Sequence, residues 1–128
     1  MEESAVHSHK QLIVWQKAMD LVVAVYEMTE KLPSSEKYGL VSQMRRAAVS
    51  IPSNIAEGRR RGTRKDYTQF ILIAYGSGAE LETQLEIVQR LPFGNGADIS
   101  KTSGLLDEVM RMLNKMLSTL SLPNKLNS

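Results

Sequence analysis

Two stretches of this chain repeat apolar or small residues with a seven-residue period, and that rhythm restricts the fold more than anything else in the sequence. Tyr67, Ile71, Ala74, Gly78, Leu81, Leu85 and Val88 follow one another at alternating spacings of four and three. Ile99, Thr102, Leu106, Val109, Leu113, Met116 and Leu120 do the same. Such a seam runs down one side of an α-helix and packs knobs into the holes of a neighbouring helix. Helices are therefore expected over about 64–91 and 98–121. Thr63 with Asp66 three residues on reads as the N-terminal cap of the first. The breaker "LPFGNG" at 91–96 separates the two.

Two further helices precede them. Over 12–32, Trp15, Met19, Val22, Tyr26 and Thr29 recur on one face, and Pro33 is expected to end the helix. Inside it "LVVAV" is apolar all round, which calls for burial on more than one side. Over 36–61, Leu40, Met44, Ala47, Ala48, Ile51 and Ile55 form the apolar face. No segment alternates as a strand does. The 128 residues fit one domain. Four helices of about 20 residues, each about 30 Å long, with short links between them, make an all-α, antiparallel up-and-down four-helix bundle. Residues 1–11 and 122–128 are expected to be flexible flanks.

The stretch "SIPSNIAEGRRRG", residues 50–62, raises two questions. The first is Pro52. Within a helix it removes one backbone hydrogen bond and crowds the Ala48 carbonyl, at a cost of about 3 kcal/mol if nothing compensates. The apolar stripe stays in phase from Ile51 to Ile55, so a kinked second helix is expected, with a break into two helices as the alternative. The second is charge. Residues 36–65 hold eight Lys and Arg against two Glu, or +6, while the remainder holds eight against twelve, or −4. Arg59, Arg60, Arg61, Arg64 and Lys65 crowd the turn between the second and third helices, and Arg45 adds a cation on the second helix. Guanidinium forks suit phosphates, so these six are the candidate nucleic-acid-binding residues. The competing reading is a solvated corner, or cations answering a helix dipole. Tyr67 is the near aromatic, so contacts to a nucleic-acid backbone or shape are expected before contacts to bases.

Beside the core face of the second helix lies a polar row of Arg46, Ser50, Asn54 and Glu57, and beside the third helix's seam lies Ser77, Glu80 and Gln84. These rows are expected to meet in a polar network, Arg46 with Glu80 and Asn54 with Glu57, that fixes register. Otherwise they are boundary positions touching water. Gly76 and Gly78, each costing roughly 1 kcal/mol in a helix, imply a close neighbour within the bundle or on a second subunit.

Enzyme chemistry is not expected. His7 and His9 are the only histidines and sit in the N-terminal flank. There is no inward Glu-x-x-His pair for a di-metal centre, no phosphate-binding glycine loop and no nucleophile beside an evident base. No metal or cofactor is expected. The chain has no cysteine, which suits a cytosolic location. The polar, acidic start "MEESAVHSHKQ" is unlike a secretory leader, and no run is long and apolar enough to span a bilayer.

"YGLVSQMRRAAVSIPSNIAEGRRRG", "YTQFILIAYGSGAELETQL" and "LNKMLSTL" together resemble the four-helix bundle proteins encoded in intervening sequences of bacterial 23S ribosomal RNA genes. The likeness covers about residues 12–121. Its most specific positions are Gln43, Arg46, Ala47, Ser50, Pro52, Asn54, Ile55, Glu57 and Gly58, with Gly76, Ser77, Glu80, Leu81, Glu82 and Thr83. Gly78 departs from it, since the family more often has a larger apolar residue there. The resemblance implies a ring of five subunits and no enzymatic activity. It also implies distant kinship with the accessory proteins of diversity-generating retroelements, which bind nucleic acid and a reverse transcriptase. The function expected is a non-enzymatic homo-oligomer that binds structured RNA or DNA through its basic corner. The alternative is an interaction scaffold docking an acidic protein.

Overall fold

A computed structural model describes residues 8–92 and 99–122. A short 3-10 turn, His9–Gln11, leads into α1, Ile13–Thr29. The Thr29 hydroxyl donates back to the Val25 carbonyl at 2.7 Å, and Leu32 N–H returns to the Thr29 carbonyl at 3.1 Å. The helix thus tightens and stops before Pro33 is reached. The link to the second helix is itself helical: a 3-10 turn at Ser34–Glu36 and a π turn at Lys37–Val41 run into α2, Ser42–Arg61. α2 passes through Pro52 without interruption, so the break into two helices does not occur. Gly62, in the left-handed region at φ 84°, ends α2, a conformation that a side chain would resist. Thr63 caps α3, Arg64–Arg90, by accepting from the Asp66 N–H at 3.1 Å. α4 spans Ser100–Leu120.

Each helix packs on the next, and α4 closes against α1, with α2 and α3 in the most extensive contact. No strand occurs among the described residues. The chain is an all-α four-helix bundle. Its core is built as the seams require: Ile71, Ala74, Leu81 and Val88 from α3, Leu106, Val109 and Leu113 from α4, and Met44, Ala48, Ile51 and Ile55 from α2.

The core face of α1 differs from the sequence expectation. Val14, Ala18, Leu21, Val25 and Met28 are buried, whereas Met19 and Tyr26 are exposed and Trp15 and Val22 half-buried. Of the five expected residues only Thr29 is buried. A segment apolar all round supports two stripes of equal quality, and the side that α2 and α4 cover decides between them. Among the described residues no helix is long and apolar enough to cross a membrane. His7 and residues 93–98 and 123–128, including part of the expected breaker and tail, lie outside the described residues.

Candidate nucleic-acid interface

At the turn between α2 and α3 the two helix ends make opposite demands, and only the end of α2 favours cations. The last turn of α2 exposes carbonyls that favour positive charge, and Arg59, Arg60 and Arg61 occupy it. The first turn of α3 then adds Arg64 and Lys65 against one acid, Asp66. The turn is held tight from within by Gly58, where a Cβ would lie 2.8 Å from the Phe70 Cβ and 3.0 Å from Tyr67 Cδ1.

The five cations of the turn do not share one role. Arg64, itself exposed, reaches across to the end of α4 and donates to the carbonyls of Thr119, Leu120 and Leu122 at 3.0, 3.1 and 2.9 Å. It satisfies the end of α4, a helix with no basic residue of its own in its last turn. The Arg59 guanidinium lies 5.9 Å from the centre of the Tyr67 ring. Burial raises the Tyr67 phenol above its ordinary range, with Arg59 pulling the other way. Arg61 bonds Glu57 at 3.1 Å and lies 5.0 Å from the Phe70 ring centre. Arg60 and Lys65 are exposed and have no acidic partner among the described residues. A cleft of about 350 Å³ opens beside them, lined by Arg59, Gly62, Thr63, Arg64, Tyr67 and Leu120. His9 borders the same end of the bundle, edge-on to Trp15 with ring centres 5.0 Å apart. Partial burial and then the nearby Arg60 and Lys10 charges push its imidazole below the usual range.

Arg45 does not belong to this cluster. It stands fourteen residues before Arg59, about 21 Å along the helix. There it donates to the Thr29 hydroxyl at 2.9 Å, pairs with Glu30 at 3.5 Å and stacks on Tyr26 at 4.4 Å. Its task is to fasten the end of α1 to the start of α2. Phe70 was missed from the sequence, where Tyr67 stood as the near aromatic. It meets Arg61 across the turn, and spacing alone offers no sign of that contact.

The polar rows meet, through different partners from those expected. Ser77 donates to Ser50 Oγ at 2.9 Å across the α2–α3 contact, and the Asn54 amide donates to Ser50 Oγ and O at 2.9 and 2.8 Å. Gln84 donates to Glu80 at 3.3 Å. Arg46 and Glu80 are both exposed and form no ion pair with each other, and Glu57 binds Arg61 rather than Asn54. The short side chains reach one another because Ser–Ser contact needs the helices close. The long charged ones stay in water, where an isolated pair gains little. Among the described residues no group of three or more His, Asp or Glu is placed to hold a metal ion.

The model of the 23S rRNA-intervening sequence protein family matches residues 10–115, and the chain belongs to that family. No curated protein matches it.

Proposed function

We propose that this member of the 23S rRNA-intervening sequence protein family is a non-enzymatic, self-associating bundle that binds the phosphate backbone of structured RNA or DNA at the α2–α3 turn. The observation that carries the reading is the pair Arg60 and Lys65. Both are exposed and unmatched by acid among the described residues, on a turn whose other cations, Arg59, Arg61 and Arg64, already have partners in the protomer. Their positive field is left for an anion from outside. Arg59 and Arg61 lie against the Tyr67 and Phe70 rings and add their charge to the same corner. A single turn of this kind binds weakly. Repetition around an assembly, the ring of five that the resemblance implies, raises avidity without new contacts.

Fluorescence anisotropy with a labelled RNA hairpin and a DNA duplex, taken through a salt series, tests this. Binding should fall steeply with salt. The double variant Arg60→Ala/Lys65→Ala should flatten that dependence by about one unit of slope for each phosphate it no longer neutralises. Unchanged affinity and slope in the double variant would remove the proposal. The second reading, a scaffold for an acidic protein, rests on the same two cations. It is favoured if a partner captured from lysate survives nuclease treatment and fails to bind the double variant.

A further inference from the structure

Two glycines two residues apart in the middle of α3 have opposite surroundings. A Cβ at Gly78 would run into the Met110 thioether of α4, so that glycine is explained inside the bundle. A Cβ at Gly76 would meet nothing within 4 Å. Nothing among the described residues therefore requires glycine there, although it weakens the helix by about 1 kcal/mol relative to alanine.

Gly76 lies at the centre of a second seam on α3, facing away from the core: Gln69, Ile73, Gly76, Glu80, Thr83 and Ile87, again at alternating spacings of four and three. Ile73 and Ile87 are 49% and 42% exposed, and Leu72 beside them is 48% exposed. A seven-residue seam with large apolar flanks and a glycine at its middle suits a second helix crossing at close range.

A matching surface exists on the same chain. α1, diagonal to α3 in the bundle, carries an outward stripe of Met19, Val23 and Tyr26, with Val23 at 55% exposed. Charge agrees with apolarity. Arg46 lies one turn before Ser50, and because α2 and α3 run antiparallel it stands about one turn beyond Ser77, level with Glu80; it has no ion pair among the described residues. Asp20 and Glu27 stand about one turn before and after Val23. If Val23 rests on Gly76, the acid on the Glu80 side, Asp20 or Glu27 according to the direction of the crossing helix, stands level with Arg46; Glu27 also faces Lys101 at 3.9 Å within its own protomer. The two surfaces are different patches of one protomer, so the contact they make is heterologous, head to tail.

The geometry points to a contact in which the outer seam of α3, centred on Gly76, receives the α1 stripe centred on Val23 of a second copy. This rests on the proposed self-association and assigns the residues that carry it. The absence of cysteine from the sequence gives a direct test. A chain carrying both Gly76→Cys and Val23→Cys should, on mild oxidation, give a ladder of disulfide-linked species in a non-reducing gel, while each single variant stays uncrosslinked. Gly76→Leu should dissociate the assembly in sedimentation velocity with its helical circular dichroism unchanged. Crosslinking of the Gly76→Cys chain to itself, or no ladder from a wild-type-like assembly, would overturn this contact while leaving self-association intact. A wild-type chain that sediments as a monomer would overturn self-association itself, and the contact with it.

Discussion

The inward and outward sides of the α2–α3 hairpin are made of the same kinds of residue and behave in opposite ways. Three of these residues have a local reason within the protomer. Gly58 lets α2 lie against Phe70 and Tyr67, Gly78 makes room for Met110, and Arg64 closes the end of α4. Outward, Gly76, Ile73, Arg60 and Lys65 have no such reason among the described residues. A residue type does not mark a site. A residue whose cost is unexplained by its own fold does, because marginal stability leaves little room for idle expense.

The contrast can be tested by substitution. Gly58→Leu should be the most damaging, since the new side chain meets the Phe70 Cβ and Tyr67 with no flexible end to yield. A loss of about 3 kcal/mol is expected in urea unfolding. Gly78→Ile should cost less, about 2 kcal/mol, because the Met110 thioether can swing aside. A result as mild as an exposed substitution would mean the inner seam is loosely packed. Arg64→Ala should remove about 1 kcal/mol and speed amide hydrogen exchange in the last turn of α4, leaving the rest of the bundle protected. Gly76→Ala should move the other way, stabilising the fold by up to about 1 kcal/mol. A loss there would show a contact within the protomer and erase the contrast. Smallest is the effect of pH through His9. Its folded pKa is lowered by partial burial and then by Arg60 and Lys10. The unfolded chain therefore binds a proton first as pH falls through about 6.5, and stability should decline slightly from there downward. Arg60→Ala should reduce that decline, as read from Tm against pH.

Much of the fold was legible without coordinates. The seams of α3 and α4 name most of their own buried residues, because their apolar side chains recur every seven residues along one side of the helix, and Thr63 marks the start of α3 through its capping chemistry. α1 was less legible. "LVVAV" offers apolar atoms in every direction, so its phase came from its neighbours. The polar rows were recognisable as a set, yet their pairings were not. Side-chain length decides who touches whom at a helix contact, and Ser50 with Ser77 wins over Arg46 with Glu80.

The cation cluster divides in the same manner. Its location was written in the sequence, since five Lys and Arg within seven residues at a turn must stand together. Which of them are at liberty was not. Arg64 meets carbonyls more than fifty positions away, and Arg61 and Phe70 face each other only because the chain folds back at Gly62. The sequence by itself determined the four helices, their inner seams and the corner where charge collects, since these follow from local periodicity and capping. Only the tertiary structure decided which face of α1 is buried, which arginines are already engaged and which mid-helix glycine lacks a neighbour. Those depend on what a distant helix brings alongside.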